Sequence, residues 1–167
     1  MSRNLFSVLL ASLIVCTISL GTSGSTSAQD TMPSCMFDVA MQPLAQAMPA
    51  NADGLALLVM RLTIGPDGGF KPHTHPGTVT VTVESGTLDF TLLENEDMVV
   101  HRVSTDGTPV PADTITPNRP VTVHAGDWFV ESGSVHEAWN RSADPAVLIV
   151  SALVDPDLPF MNCVASS

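Results

Sequence analysis

The chain has 167 residues, with 17 acidic against six basic side chains and a formal charge of −11 at pH 7. This length bounds it to one domain with a sizeable core. Acid scattered along the chain repels phosphate backbones and anionic lipid, which excludes nucleic acid as a partner and accords with solubility outside the cell.

Residues 1–28, MSRNLFSVLLASLIVCTISLGTSGSTSA, carry one early arginine, an apolar run and small polar residues ending at Ala28. That is the layout of a secretory signal peptide, and it predicts a secreted or periplasmic protein. Serines and threonines interrupt the apolar run, against a permanent membrane span, and Val15 before Cys16 fits a lipid-attachment signal poorly. Cleavage leaves a chain from about Gln29 that keeps all 17 acidic residues, five of the six basic ones, and the two cysteines Cys35 and Cys163. In an exported protein such a pair predicts a structural disulfide tying the two ends together. Two free thiols or a Cys–His metal site are the alternatives.

Residues 29–53 are rich in Pro, Met and Ala and read as an irregular N-terminal arm. Within it MQPLAQAM suits a short helix bounded by Pro43 and Pro49. Residues 54–167 have another texture. Short β-branched runs occupy Leu55–Ile64, Thr78–Val83, Thr87–Leu93, Met98–Val103, Val121–His124 and Ala146–Val154. Turn clusters separate them at Pro66–Gly69, Glu84–Gly86, Asn95–Asp97 and Ala125–Asp127. The proline-rich run Thr105–Pro120 reads as a loop with one short strand. Val-Glu-Ser-Gly occurs at Val83–Gly86 and again at Val130–Gly133, both times as a strand running into a turn. No helical period appears after residue 54, so the fold class is all-β, a sandwich or barrel.

Five histidines are present: His73, His75, His101, His124 and His136. In an extended chain His73 and His75 project to the same side. His136 follows a turn at Ser132–Ser134 that feeds another strand, and inward side chains on paired strands can share one ion. His101 and His124 stand alone beside apolar residues and read as rim or surface groups. Trp128 and Trp139 read as core or pocket-wall residues.

Gly69-x-x-x-His73-x-His75-Pro76-Gly77, with Gly86 further on, resembles the first motif of the cupin superfamily. Gly133-x-x-His136-x-x-x-Asn140, preceded by Gly126-Asp127, resembles its second. The resemblance spans about residues 54–154 and implies a single cupin-type jelly-roll barrel with His73, His75 and His136 as metal ligands. Two departures stand out. Where the family places a metal-binding glutamate, three or four residues after the second histidine, this chain has Val79 and Thr80, with Val79 nearest the metal by parity. Glu131 replaces the second motif's proline, and a changed turn there would bring it towards the barrel mouth.

Three neutral imidazoles can hold Fe(II), Zn(II), Cu(II), Ni(II) or Mn(II) and leave positions open for water or substrate. A neutral ligand set leaves the full charge on the ion, favouring an anionic substrate or hydroxide. Two functions follow as expectations. One is a metal-dependent enzyme on a small anionic substrate, oxygenase-like, with Glu131 or Glu137 as a base at the rim. The other is a non-catalytic module binding a small ligand or metal outside the cell. Partners would be a small molecule and a second copy joined through edge strands, with no membrane contact after signal cleavage. Asn140-Arg141-Ser142 matches a glycosylation sequon, but parity from His136 turns Asn140 inward, against modification. The absence of tyrosine excludes any mechanism that needs a phenol.

Overall fold

A computed structural model describes residues 33–94 and 97–165, so the signal-peptide reading lies outside the described residues. Among the described residues every regular element is a strand. Eleven are present: β1 (Met36–Ala47), β2 (Ala56–Thr74), β3 (Gly77–Ser85), β4 (Thr87–Leu92), β5 (Met98–Val103), β6 (Pro109–Ile115), β7 (Val121–His124), β8 (Asp127–Ser132), β9 (His136–Trp139), β10 (Ala146–Val154) and β11 (Asn162–Cys163).

Alternation is the cause. In β3, Val79, Val81 and Val83 are buried while Thr78, Thr80 and Thr82 are not, and β10 alternates without a break over nine residues. Period-two patterning puts one apolar set on the inner face. Nine strands run along one antiparallel path, β6-β5-β8-β3-β10-β2-β9-β4-β7, curled into a nearly closed barrel, with β1 and β11 both added to β2. Leu88, Phe90, Leu92 and Phe129 fill the interior at 2 % exposure or less. Burying each stabilises the fold by roughly 1.5–3 kcal/mol.

The segment read as an irregular arm is different from that expectation. Met36–Ala47 forms a strand antiparallel to β2, and no helix forms over MQPLAQAM. Pro43 lacks the N–H a ladder needs, but β1 pairs on one side only, and the register shifts between Pro43 and Ala45. The cluster Pro66–Gly69 is likewise no hairpin turn. It is a corner inside β2, which pairs with β10 up to Ile64 and with β9 from Gly69 onward. Gly69 has φ 154°, and a Cβ there would stand 2.2 Å from the Ala138 carbonyl oxygen, so the two strands can approach only at glycine. The Thr105–Pro120 run does contain its one short strand, β6.

Cys35 and Cys163 form a disulfide with a Cα separation of 5.6 Å. Cys163 stands opposite His73 in the β11–β2 register. The bridge therefore clamps both ends of the described chain to the end of β2, beside His73.

Candidate metal centre

His73 closes β2, His75 follows it by two residues, and His136 opens β9 directly opposite His73. Extended geometry turns His73 and His75 to one side, and antiparallel pairing brings His136 to meet them. One donor nitrogen from each of the three lies within 4.8 Å of the others, and all three residues are buried.

The orientation of each ring is held from behind. Nδ1 of His73 donates to the Lys71 carbonyl at 2.8 Å, that of His136 to Ser134 at 3.0 Å, and that of His75 to Phe160 at 2.7 Å. A carbonyl can only accept, so each Nδ1 carries the proton and each Nε2 keeps its lone pair. Metal-bound histidines characteristically donate their second nitrogen in this way. His73 and His136 use the carbonyl two residues upstream. His75 instead relies on the C-terminal segment, since Phe160 lies just before β11 and packs its ring 4.7 Å from the imidazole. Phe90 stacks on His136 with centroids 4.9 Å apart.

Burial opposes charge on His73 and His75. It lowers the pKa of His73 from the ordinary 6.5 to about 3, and the neighbouring His136 and His75 lower it further. Burial also lowers His75, although the Glu131 carboxylate pulls in the opposite direction. In the metal-free protein the unfolded chain therefore binds a proton at residue 73 that the folded one refuses. Stability rises with pH between about 3 and 6.5, is fully present above that window, and is lost as pH falls through it. Urea unfolding of metal-free protein at pH 4, 5.5 and 7.5 checks the sign. The His73→Leu variant should lose part of the slope, and a wild-type midpoint that fell with rising pH would contradict the account.

Glu131 lies deep inside the site. It is 3 % exposed, with Oε1 3.5 Å from His75 Nε2 and Oε2 2.8 Å from His136 Nδ1. The His136 N–H is directed at Ser134, and Oε2 has no hydrogen-bond donor among the described residues. No changed turn is needed to bring Glu131 here. In β8 the residues Asp127, Phe129 and Glu131 share the inward face, and Glu131 pairs with Val79 of β3.

Glu137 does not join it. It sits between buried His136 and Ala138 and takes the opposite, outer side of β9. His101 stacks on Trp128 at 4.5 Å on the outside, and His124 is exposed, with its backbone N–H donated to Asp127. The tryptophans depart from the core reading. Trp128 covers His101, and Trp139 stacks on Phe37 beneath the Arg141 guanidinium. Phenylalanines at 70, 90 and 129 line the cavity instead. Asn140 is fully buried, its Nδ2 donating to Ile64, Gly65 and Asp144 carbonyls, which leaves the sequon asparagine closed to modification in the folded chain.

The cavity behind the histidines is about 40 Å³. At about 10–15 Å³ per water that is space for a few waters or a very small molecule. Its wall is hydrocarbon apart from the three imidazoles and Glu131, and Met41, Phe160 and Met161 also contribute to it. The donor set fits a transition metal. Three neutral nitrogens with second-nitrogen hydrogen bonds, a buried carboxylate oxygen lacking a donor, and an apolar surround are what such an ion requires.

No protein-family model and no curated protein matches the sequence. Solved structures do align with it. A cupin-like protein from Thermotoga maritima is 14% identical, over 78% of this chain and 80% of its own, with a TM-score of 0.49. A cupin 2 domain-containing protein from Halorhodospira halophila is 15% identical over 77% and 71%, with a TM-score of 0.49. An oxalate oxidase in complex with the substrate analogue glycolate is 22% identical over 87% and 63%, with a TM-score of 0.48. The first two of these are described as cupin proteins.

Proposed function

We propose that this cupin-type barrel is an exported protein that holds one divalent transition-metal ion through His73, His75 and His136. We propose further that it uses the ion as an oxygenase-like enzyme on a small anionic substrate. The observation that carries the reading is the commitment of all three Nδ1–H groups to backbone carbonyls, which leaves each Nε2 with its lone pair in a cluster whose ring nitrogens lie within 4.8 Å of one another. Fe, Zn, Cu, Ni and Mn are the ions suited to such donors. When bound, the ion supplies Lewis-acid polarisation and, if redox-active, oxygen chemistry. The protein's own residues hold the donors neutral, exclude bulk water with a hydrocarbon wall, and limit the ligand to a few heavy atoms. Of the two glutamates considered as bases, only Glu131 lines the cavity. The Cys35–Cys163 disulfide supports export to an oxidising compartment. The outer edge of β1, unpaired among the described residues, supports a homodimer.

A second reading, ligand or metal binding without catalysis, is favoured by one feature. Among the described residues no lysine or arginine lines the cavity, so an anion there has only the ion to hold it. Plasma mass spectrometry on untagged mature protein tests the metal, beside a variant carrying His73→Ala, His75→Ala and His136→Ala. About one equivalent, lost in the variant, is the expected result. Protein that is metal-free and takes up none of the five ions would sink the proposal. Oxygen uptake with small carboxylic acids then separates the two readings, and metal-loaded protein that consumes no oxygen moves the assignment to binding.

A further inference from the structure

We infer that Glu131 is a fourth ligand of this metal, supplied from β8 to the space that Val79 of β3 leaves without a carboxylate. The inference rests on the metal site proposed above.

Two acceptors face each other in this cluster. His75 Nδ1 donates to Phe160, so its Nε2 carries a lone pair, and that atom stands 3.5 Å from Glu131 Oε1. A lone pair and a carboxylate oxygen repel unless a cation lies between them. Two donors bound to one ion at about 2.1 Å each are held roughly 3.0–3.4 Å apart, close to the observed spacing. The other oxygen, Oε2, is buried and without a donor. A carboxylate taken from water and left unpaired is costly, and an ion relieves that cost. Among the described residues, Arg102 of the adjoining strand β5 is committed to both oxygens of Asp127, and His136 Nδ1, 2.8 Å from Oε2, directs its N–H at Ser134.

The register explains how this ligand set arises. Val79 and Glu131 are cross-strand partners with inward side chains on neighbouring strands. A carboxylate at either position enters the same cavity. The resulting set, three imidazoles and one carboxylate, lowers the net charge on a divalent ion to +1, which weakens its pull on an anionic ligand and favours a neutral or singly charged one.

The test uses Co(II) and Zn(II) with the mature protein. Wild type should bind one equivalent with a defined visible cobalt spectrum. Glu131→Gln should bind at least about a hundredfold more weakly, with an altered spectrum. Metal-free Glu131→Gln should melt no lower than metal-free wild type, because an unpaired charge has gone, yet gain less on metal addition. A protein combining Glu131→Val with Val79→Glu should recover binding lost in Glu131→Val alone. An unchanged spectrum with affinity within severalfold of wild type would make Glu131 merely an orienting neighbour of His136 and overturn ligation. Wild type that binds neither ion would overturn the metal reading itself, a different failure. Should Glu131→Gln fail to fold, the infrared difference spectrum of wild type on zinc addition decides. A shifted carboxylate stretch is expected, and its absence overturns the assignment.

Discussion

Zinc added to metal-free protein at about a thousandfold over its dissociation constant should raise the melting temperature by roughly 10–20 °C, and His136→Ala should abolish the rise. The estimate follows from linkage. A ligand that binds only the folded state stabilises it by about 4 kcal/mol at that excess, and each kcal/mol moves the midpoint by roughly 2–8 °C in domains of this size range. The unfolded chain keeps only the His73–His75 pair near one another and competes weakly for the ion. His136 reaches them through the β2–β9 pairing, so its removal leaves two imidazoles and a gap beside Phe90. The metal-free variant should still fold, because the cost of truncating one buried imidazole is spread over a barrel whose apolar core does not depend on it. Differential scanning calorimetry with and without zinc measures both quantities. An equal shift in wild type and variant would place the binding elsewhere.

The second large effect concerns the disulfide. Cys35→Ser with Cys163→Ser should lower stability by about 2–5 kcal/mol, since the bridge closes a loop with a sequence separation of 128. Metal affinity should fall as well, by about ten- to a hundredfold, for a local reason. Cys163 pairs with His73, and the segment it anchors carries the Phe160 carbonyl that receives the His75 proton. Removing an orienting partner of a metal-bound histidine characteristically has an effect of that size. Zinc competition against a colorimetric chelator, with and without reductant, reads the affinity. Lower stability with unchanged affinity would show that Phe160 holds its place without the bridge.

Much of the site was legible in the sequence because it obeys parity. His73 and His75 share a face, the spacing from Gly133 to His136 sets a turn before a strand, and β10 alternates over its whole length. The parts that resisted reading did so for physical reasons. In MQPLAQAM the alternation is masked by alanine and proline, and only pairing with β2 makes it a strand. The Pro66–Gly69 cluster has turn chemistry but serves as a corner, a distinction decided by β9 and β10 on the neighbouring ladders. Glu131 carried its signal in the Asp127–Phe129–Glu131 alternation, yet comparison with a proline at that motif position directs attention to a turn. Trp128 and Trp139 are large and apolar, which predicts burial, but strand parity sends both outward. The carbonyl that orients His75 belongs to backbone, and side-chain identity holds no trace of it.

His73 near the end of β2 and His75 just beyond it supply two of the proposed ligands, and the third comes from β9, separated from them along the chain by β3 to β8. Assembly of the centre thus depends on a non-local pairing, of the kind that slows the folding of antiparallel barrels whose partners are remote along the chain. With all three donors buried, an ion held at the proposed centre would reflect the supply available where folding occurs. Since intrinsic affinities of such nitrogen donors favour copper and zinc over iron and manganese, the location of folding would weigh more than the ligand set in which element that centre takes up.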